Sequence, residues 1–146
     1  MTLDDGEKNW IEARIGIDGY RADVIARHHR LTADEPESVG GGDAGPSPYE
    51  YLLIALATCT AMTIRMYANR KQWPLERASV FVRQGHSYAK DCENCVTEAV
   101  GVGRIERRIE LSGSLTDEQR TRLLQIADRC PIKQTLERGI GVVAAQ

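Results

Sequence analysis

Apolar and polar residues alternate from Ile11 to about Leu31, and apolar residues run together through Leu52–Ala57. Alternation returns near Ala78–Val82 and Arg104–Leu111, and apolar residues recur at helical spacing between Thr116 and Ala127. A period of two marks a half-buried strand, and a period near 3.6 marks an amphipathic helix. Gly16-Ile-Asp-Gly19 has the composition of a hairpin turn, with Ile11, Ala13 and Ile15 before it and Tyr20, Ala22, Val24 and Ala26 after it. Between Asp34 and Ser47 the pattern breaks into Asp-Glu-Pro and then Gly40-Gly-Gly-Asp-Ala-Gly45-Pro-Ser-Pro48. This stretch predicts a loop and not a linker, since neither flank forms a domain alone. The chain reads as one domain over 1–146: strands and Gly-rich loop over 1–46, a central helix over 47–71, and a second half of strands and helices over 72–146.

The helix start is well marked. Ser47 suits the N-cap, Pro48 the first helical position, and Glu50 lies three residues after Ser47, which together make a capping box. The helix runs to about Arg70, and its apolar centre, Leu52–Ala57, predicts burial on nearly every side. A strand follows at Ala78–Val82, continuing towards Ser87, and another at Arg104–Leu111. Thr116–Ala127 reads as an amphipathic helix with Leu123, Leu124 and Ile126 inward. Cys130-Pro131 opens a short helix to about Arg138, and Gly141–Ala144 makes a last small strand. The fold class is α+β.

Composition narrows the functions. With 42% hydrophobic and 27% charged residues in 146, the chain has the balance of a globular protein with a real core. A formal net charge of -2 argues against nucleic acid or an anionic membrane as main partner, since both need clustered positive charge. Arg104, Arg107 and Arg108 do cluster, but they mix with Glu106 and Glu110, which reads as a solvated strand face. The N-terminus is acidic where a signal peptide is basic and then apolar. The apolar stretch from Tyr51 to Met62 is too short to span a bilayer. The expected location is therefore the cytoplasm, where four cysteines point to catalysis, redox sensing or metal binding ahead of structural disulfides.

Cys59 lies mid-helix, on a face with Leu52, Ala55, Leu56, Met62 and Met66. Taken alone, it is a small apolar core residue. Cys130 changes the weighting, because it precedes Pro131 and can cap the following helix, where partial positive charge lowers a thiol pKa. Unreactive capping is the plainer reading, but cysteine is not a favoured cap.

Gly45-Pro-Ser-Pro-Tyr-Glu-Tyr-Leu-Leu-Ile-Ala-Leu-Ala-Thr-Cys-Thr-Ala-Met-Thr63 resembles the central helix of OsmC/Ohr proteins, which follows a Gly-rich loop and carries their reactive cysteine. Ile126-Ala-Asp-Arg-Cys-Pro131 resembles the stretch around the family's second cysteine. Asp34-Glu-Pro, Gly40-Gly41 and Gly113-Ser-Leu extend the resemblance over nearly the whole chain. It implies two twisted sheets packed on central helices, in an intertwined homodimer with the thiols near the interface. It also implies a cysteine-based peroxidase without metal or organic cofactor. In that role Cys59 attacks an organic hydroperoxide, Cys130 resolves the sulfenic acid as a disulfide, and an external dithiol reduces the disulfide.

The resemblance has gaps. Ohr-type sites pair an Arg in the N-terminal hairpin with a Glu directly after the proline that opens the helix. Here Ile17 holds the Arg place, which leaves Arg21 as the nearest thiolate partner, and Tyr49 follows Pro48 with Glu50 one residue late. Nine residues at about 100° each put Glu50 on the opposite side of its helix from Cys59 and roughly 13 Å along the axis. Capping therefore ranks ahead of catalysis for Glu50.

Cys92 and Cys95 form a C-x-x-C with three readings: a redox pair opposed by Asp91 and Glu93, half a zinc site with His86, or an exposed loop without function. The last is preferred. Of His28-His29, on a predicted strand, one faces in and the other out. Gly40-Gly-Gly-Asp is no phosphate loop, because the Lys-Ser/Thr ending is missing. The rival to the enzyme is a non-catalytic OsmC-like protein that binds a small apolar ligand or senses redox state.

Overall fold

The computed structural model describes residues 10–85 and 103–145. By internal packing the chain divides into two compact units, Met1–Leu52 and Leu53–Gln146. The boundary falls inside the central helix and not in the Gly-rich loop.

In the N-terminal unit the alternating segment folds as three antiparallel strands, β1 (Ile11–Ile15), β2 (Ala22–Ala26) and β3 (His29–Ala33), in the order β1-β2-β3. Ile15 pairs with Ala22, so the first connection spans Gly16 to Arg21 and is wider than the four-residue turn expected. Ala26 pairs directly with His29, leaving Arg27 and His28 as a tight turn with Arg27 in the left-handed region at φ 57. His28 is thus outside the strand, and both histidines are exposed, contrary to the expected in-and-out pair.

The loop after β3 is organised by Asp34. Its buried carboxylate accepts the backbone N–H of Glu35 at 2.7 Å and of Ala44 at 3.1 Å, while its own N–H donates to the Pro46 carbonyl at 3.2 Å. The loop is so close to itself that a Cβ on Gly41 would lie 1.8 Å from the Glu35 carbonyl oxygen. The Ala44 N–H, with smaller contributions from Glu35, Gly42 and the charge of Arg21, holds the Asp34 carboxyl below its ordinary value against the opposing effect of burial. A carboxylate depressed on folding stabilises above the unfolded pKa and ceases to do so as pH falls through the folded value. Asp34→Asn is therefore expected to lower the melting temperature at neutral pH. The difference from wild type should shrink as pH falls below the ordinary carboxylate range and through the lowered folded value; an equal loss at neutral and at acid pH would show that the charge is not what matters.

Helix α1 (Pro48–Lys71) begins where the capping box predicts and crosses from the first unit into the second. Its apolar character continues past Met62 through Ile64, Met66 and Ala68, so by length and a mean hydropathy of 1.4 it could cross a bilayer. This corrects the expectation of too short a stretch. Its buried residues are Leu56, Thr60, Ile64 and Ala68, one stripe at four-residue spacing. Burial on nearly every side is not observed within one chain: Ile54, Met62 and Met66 are exposed.

The C-terminal unit adds β4 (Leu75–Gln84) paired antiparallel with β5 (Ile105–Gly113), then α2 (Asp117–Ala127) and α3 (Pro131–Arg138). Thr116 caps α2 in a full capping box with Gln119. The core consists of Ile64, Ala68, Leu75, Leu123 and Ala127, with Tyr67, Trp73, Ala78, Ile109, Leu111 and Leu115 packed around it. The expected strand at Gly141–Ala144 does not form, and residues 139–145 are exposed. Among the described residues no strand pairs with this tail, and an unpaired segment gains no ladder hydrogen bonds.

Candidate functional site

Strand alternation decides which arginine of β5 turns inward. Ile105, Arg107, Ile109 and Leu111 share one face, opposite Val82, Val80 and Ala78 of β4. Arg108 lies on the other face, over the Phe81 ring at 4.2 Å and bonded to Glu110. Arg107 is therefore no part of a solvated face. Its side chain is only 14% exposed. It donates to the Thr60 hydroxyl at 3.2 Å, to the Ala127 carbonyl at 3.2 Å and to the Asp128 carboxylate at 2.7 Å. The sequence held the signal for this, since Arg107 interrupts an otherwise apolar period-two face.

Next to Arg107 the C-terminal unit brings Cys59 and Cys130 together. Cys59 comes from the middle of α1 and is half-buried; Cys130 is the N-cap of α3 and fully buried. The thiols are close enough for a hydrogen bond between them to act on both. Burial pushes the Cys59 thiol up, and its hydrogen bond to Cys130 pushes it further the same way. The Ile132 N–H and the Thr63 hydroxyl oppose the rise. For Cys130 burial again acts upward, but the hydrogen bond from Cys59, the Lys133 N–H, the Thr60 hydroxyl and the Ile132 N–H outweigh it, and the thiol is lowered. No full capping hydrogen bond forms from the Cys130 side chain. What favours its thiolate is first the hydrogen bond from Cys59, to which the Lys133 and Ile132 N–H groups in the first turn of α3 add.

The other sequence candidates lie in the N-terminal unit. Arg21 is exposed and pairs with Asp23 at 3.6 Å. Glu50 completes the capping box: its carboxylate accepts the Ser47 N–H at 2.7 Å, and the Ser47 hydroxyl accepts the Glu50 N–H at 3.3 Å. Cys92, Cys95 and His86 lie outside the described residues.

The profile of OsmC-like proteins matches residues 40–144. The chain belongs to the OsmC-like protein family. No curated protein matches it. Among solved structures, an OsmC-like protein from Mycoplasma pneumoniae is 22% identical, with a TM-score of 0.72 over 89% of this chain and 87% of that one. A Legionella pneumophila structure described as an organic hydroperoxide resistance protein OsmC is 19% identical, with a TM-score of 0.60 over 87% of each chain. The organic hydroperoxide resistance protein OhrB of Bacillus subtilis is 16% identical, with a TM-score of 0.51 over 86% of this chain and 88% of that one. At these identities the likeness establishes the OsmC-like α+β fold.

Ile17 is fully exposed in the first connection, and Tyr49 is exposed in the first turn of α1. Glu50 is accounted for by its cap. Since glutamine also completes a capping box, Glu50→Gln is expected to keep most of any peroxidase activity and nearly all of the melting temperature. A collapse of turnover at unchanged melting temperature would assign Glu50 a direct role.

Proposed function

We propose that this OsmC-like protein reduces organic hydroperoxides through Cys59 and Cys130. The observation that carries the reading is a pair of thiols at the start of α3, close enough to act on each other's ionisation, in which one member is reachable and the other is sealed. The favoured thiolate sits on Cys130, which no peroxide can approach. The proton of Cys59 passes to it, and the Cys59 thiolate attacks the O–O bond. The near oxygen stays on sulfur as a sulfenic acid, and the far oxygen leaves as an alcohol after taking a proton. Cys130 then displaces water from the sulfenic sulfur, forming the Cys59–Cys130 disulfide. An external dithiol returns both thiols to the reduced state, as is available in the cytoplasm. No metal or organic cofactor enters these steps. Arg21, already engaged by Asp23 and Asp34, has no step in them.

The bare stripe of Ile54, Met62 and Met66 on α1 supports a homodimer in which two such helices cover each other. The test of function is peroxide consumption with an alkyl hydroperoxide and with hydrogen peroxide, supplying a monothiol and then a dithiol. Faster turnover of the alkyl substrate with the dithiol is expected, and no consumption with either would reject the reading.

A second reading has its own observation. The N-terminal unit contains a cavity of about 300 Å³ lined by Ala13, Ile15, Tyr20, Ala22, Ala33 and Pro48, with Arg14, Asp34 and Glu35 also on its wall. That is the lower end of the size of small-molecule sites. A non-catalytic protein that binds a small apolar ligand there fits this cavity, and it predicts ligand binding with no peroxide consumption.

A further inference from the structure

The Cys130 thiol is fully buried, and a buried thiolate needs nearby charge or hydrogen-bond donors to hold it. We infer that Arg107 is a positioning residue for the thiol pair, fixing the Thr60 hydroxyl and the Ala127–Cys130 turn so that negative charge on sulfur is favoured. The inference deepens the peroxide-reducing reading and rests on it for its biological meaning, but its physical content is independent.

Three contacts place Arg107. The Thr60 hydroxyl is fully buried, accepts from Arg107 at 3.2 Å and donates to the Leu56 carbonyl of its own helix at 2.8 Å. A hydroxyl has one proton, so it can serve either Leu56 or the Cys130 sulfur. Once Cys130 is charged, the sulfur becomes the stronger acceptor, and the arginine bond keeps the oxygen in place while the proton turns. The Ala127 carbonyl accepts both from Arg107 at 3.2 Å and from the Cys130 N–H at 3.2 Å, so the same guanidinium fixes the backbone that carries the second thiol. Asp128 anchors the other nitrogen at 2.7 Å.

Among the described residues, the other charged groups nearby do not bond the Thr60 hydroxyl or the Ala127 carbonyl as Arg107 does. Lys133, at the start of α3, lies 3.9 Å from Asp128 and pairs with Glu137 at 2.7 Å. Asp128 is the opposing anion, but its side chain is 63% exposed against 14% for Arg107, so water screens it more. From α1 the titratable group facing Cys130 is Cys59 itself. A guanidinium stays charged across the range in which thiols titrate.

The test is the pH dependence of thiolate absorbance in the ultraviolet, measured on reduced full-length protein carrying Cys92→Ser and Cys95→Ser so that only the pair reports. In this background Arg107→Met is expected to raise the first apparent thiol pKa by about one unit, a tenfold loss of thiolate at a given pH below it. Arg107→Lys should recover only part of that. If Arg107→Met does not fold, Thr60→Val answers the question, because it removes the hydroxyl and leaves the Ala127 and Asp128 contacts. Thr60→Val should raise the pKa, and Thr60→Ser should restore it. A folded Thr60→Val protein with an unchanged titration overturns the inference. A shifted titration in a protein whose parent consumes no peroxide would reject the proposed function and leave the role of Arg107 standing.

Discussion

Replacing Cys59 with serine is expected to lower peroxide turnover by at least about 10³-fold, the scale of loss when a nucleophile is removed. A serine hydroxyl in the same buried place has no accessible charged form, and the pH at which cysteine ionises leaves it neutral. Replacing Cys130 should behave differently. Cys130 is fully buried, so the first attack on peroxide does not need it as a nucleophile. Its substitution by serine is expected to permit one slow equivalent of peroxide to be consumed, leaving a sulfenic acid on Cys59. Turnover with a dithiol then falls sharply, because no internal thiol condenses with that acid. Stopped-flow peroxide loss combined with intact-protein mass separates these outcomes. If Cys130→Ser consumes no first equivalent, as with Cys59→Ser, then Cys130 is indispensable to the attack itself and is more than its proton acceptor and resolving thiol.

The second large effect concerns α1. Ile54, Met62 and Met66 are exposed along a helix whose opposite stripe, Leu56, Thr60, Ile64 and Ala68, is buried. If a second copy covers the bare stripe, Met62→Glu removes about 1.5–3 kcal/mol of apolar burial in each copy and brings an unpaired carboxylate into the interface. The dimer dissociation constant should rise by at least about 100-fold, since each 1.4 kcal/mol is tenfold. Sedimentation equilibrium across a wide dilution range measures it. A wild-type protein that is compact, monomeric and fully active at every concentration would remove both the dimer and its shared interface from the account.

Legibility in the sequence followed the range of the physics. Elements set by local signals were readable: the Ser47–Glu50 capping box, the Thr116 start of α2, the Cys130-Pro131 start of α3 and the alternation of β4 and β5 all have their cause within a few residues. The thiol pair was expected from resemblance, because its members are 71 residues apart by number and no local pattern links them. Charge composition hides Arg107 among its acidic neighbours, whereas strand parity separates it: Glu106 and Glu110 share the outer face, and Arg107 does not. The exposed face of α1 and the missing strand at Gly141–Ala144 share a cause. Hydrophobicity shows that a surface wants cover, but it does not show which chain provides it. His28 failed on a smaller scale, since a two-residue turn at Arg27 displaced it from the strand.

The central claim is that Cys59 and Cys130 are one redox pair. Its most direct test is peptide mapping of the full-length protein after one equivalent of an organic hydroperoxide. The account predicts loss of two thiols and a Cys59–Cys130 disulfide. A Cys92–Cys95 linkage with Cys59 still reduced would contradict it.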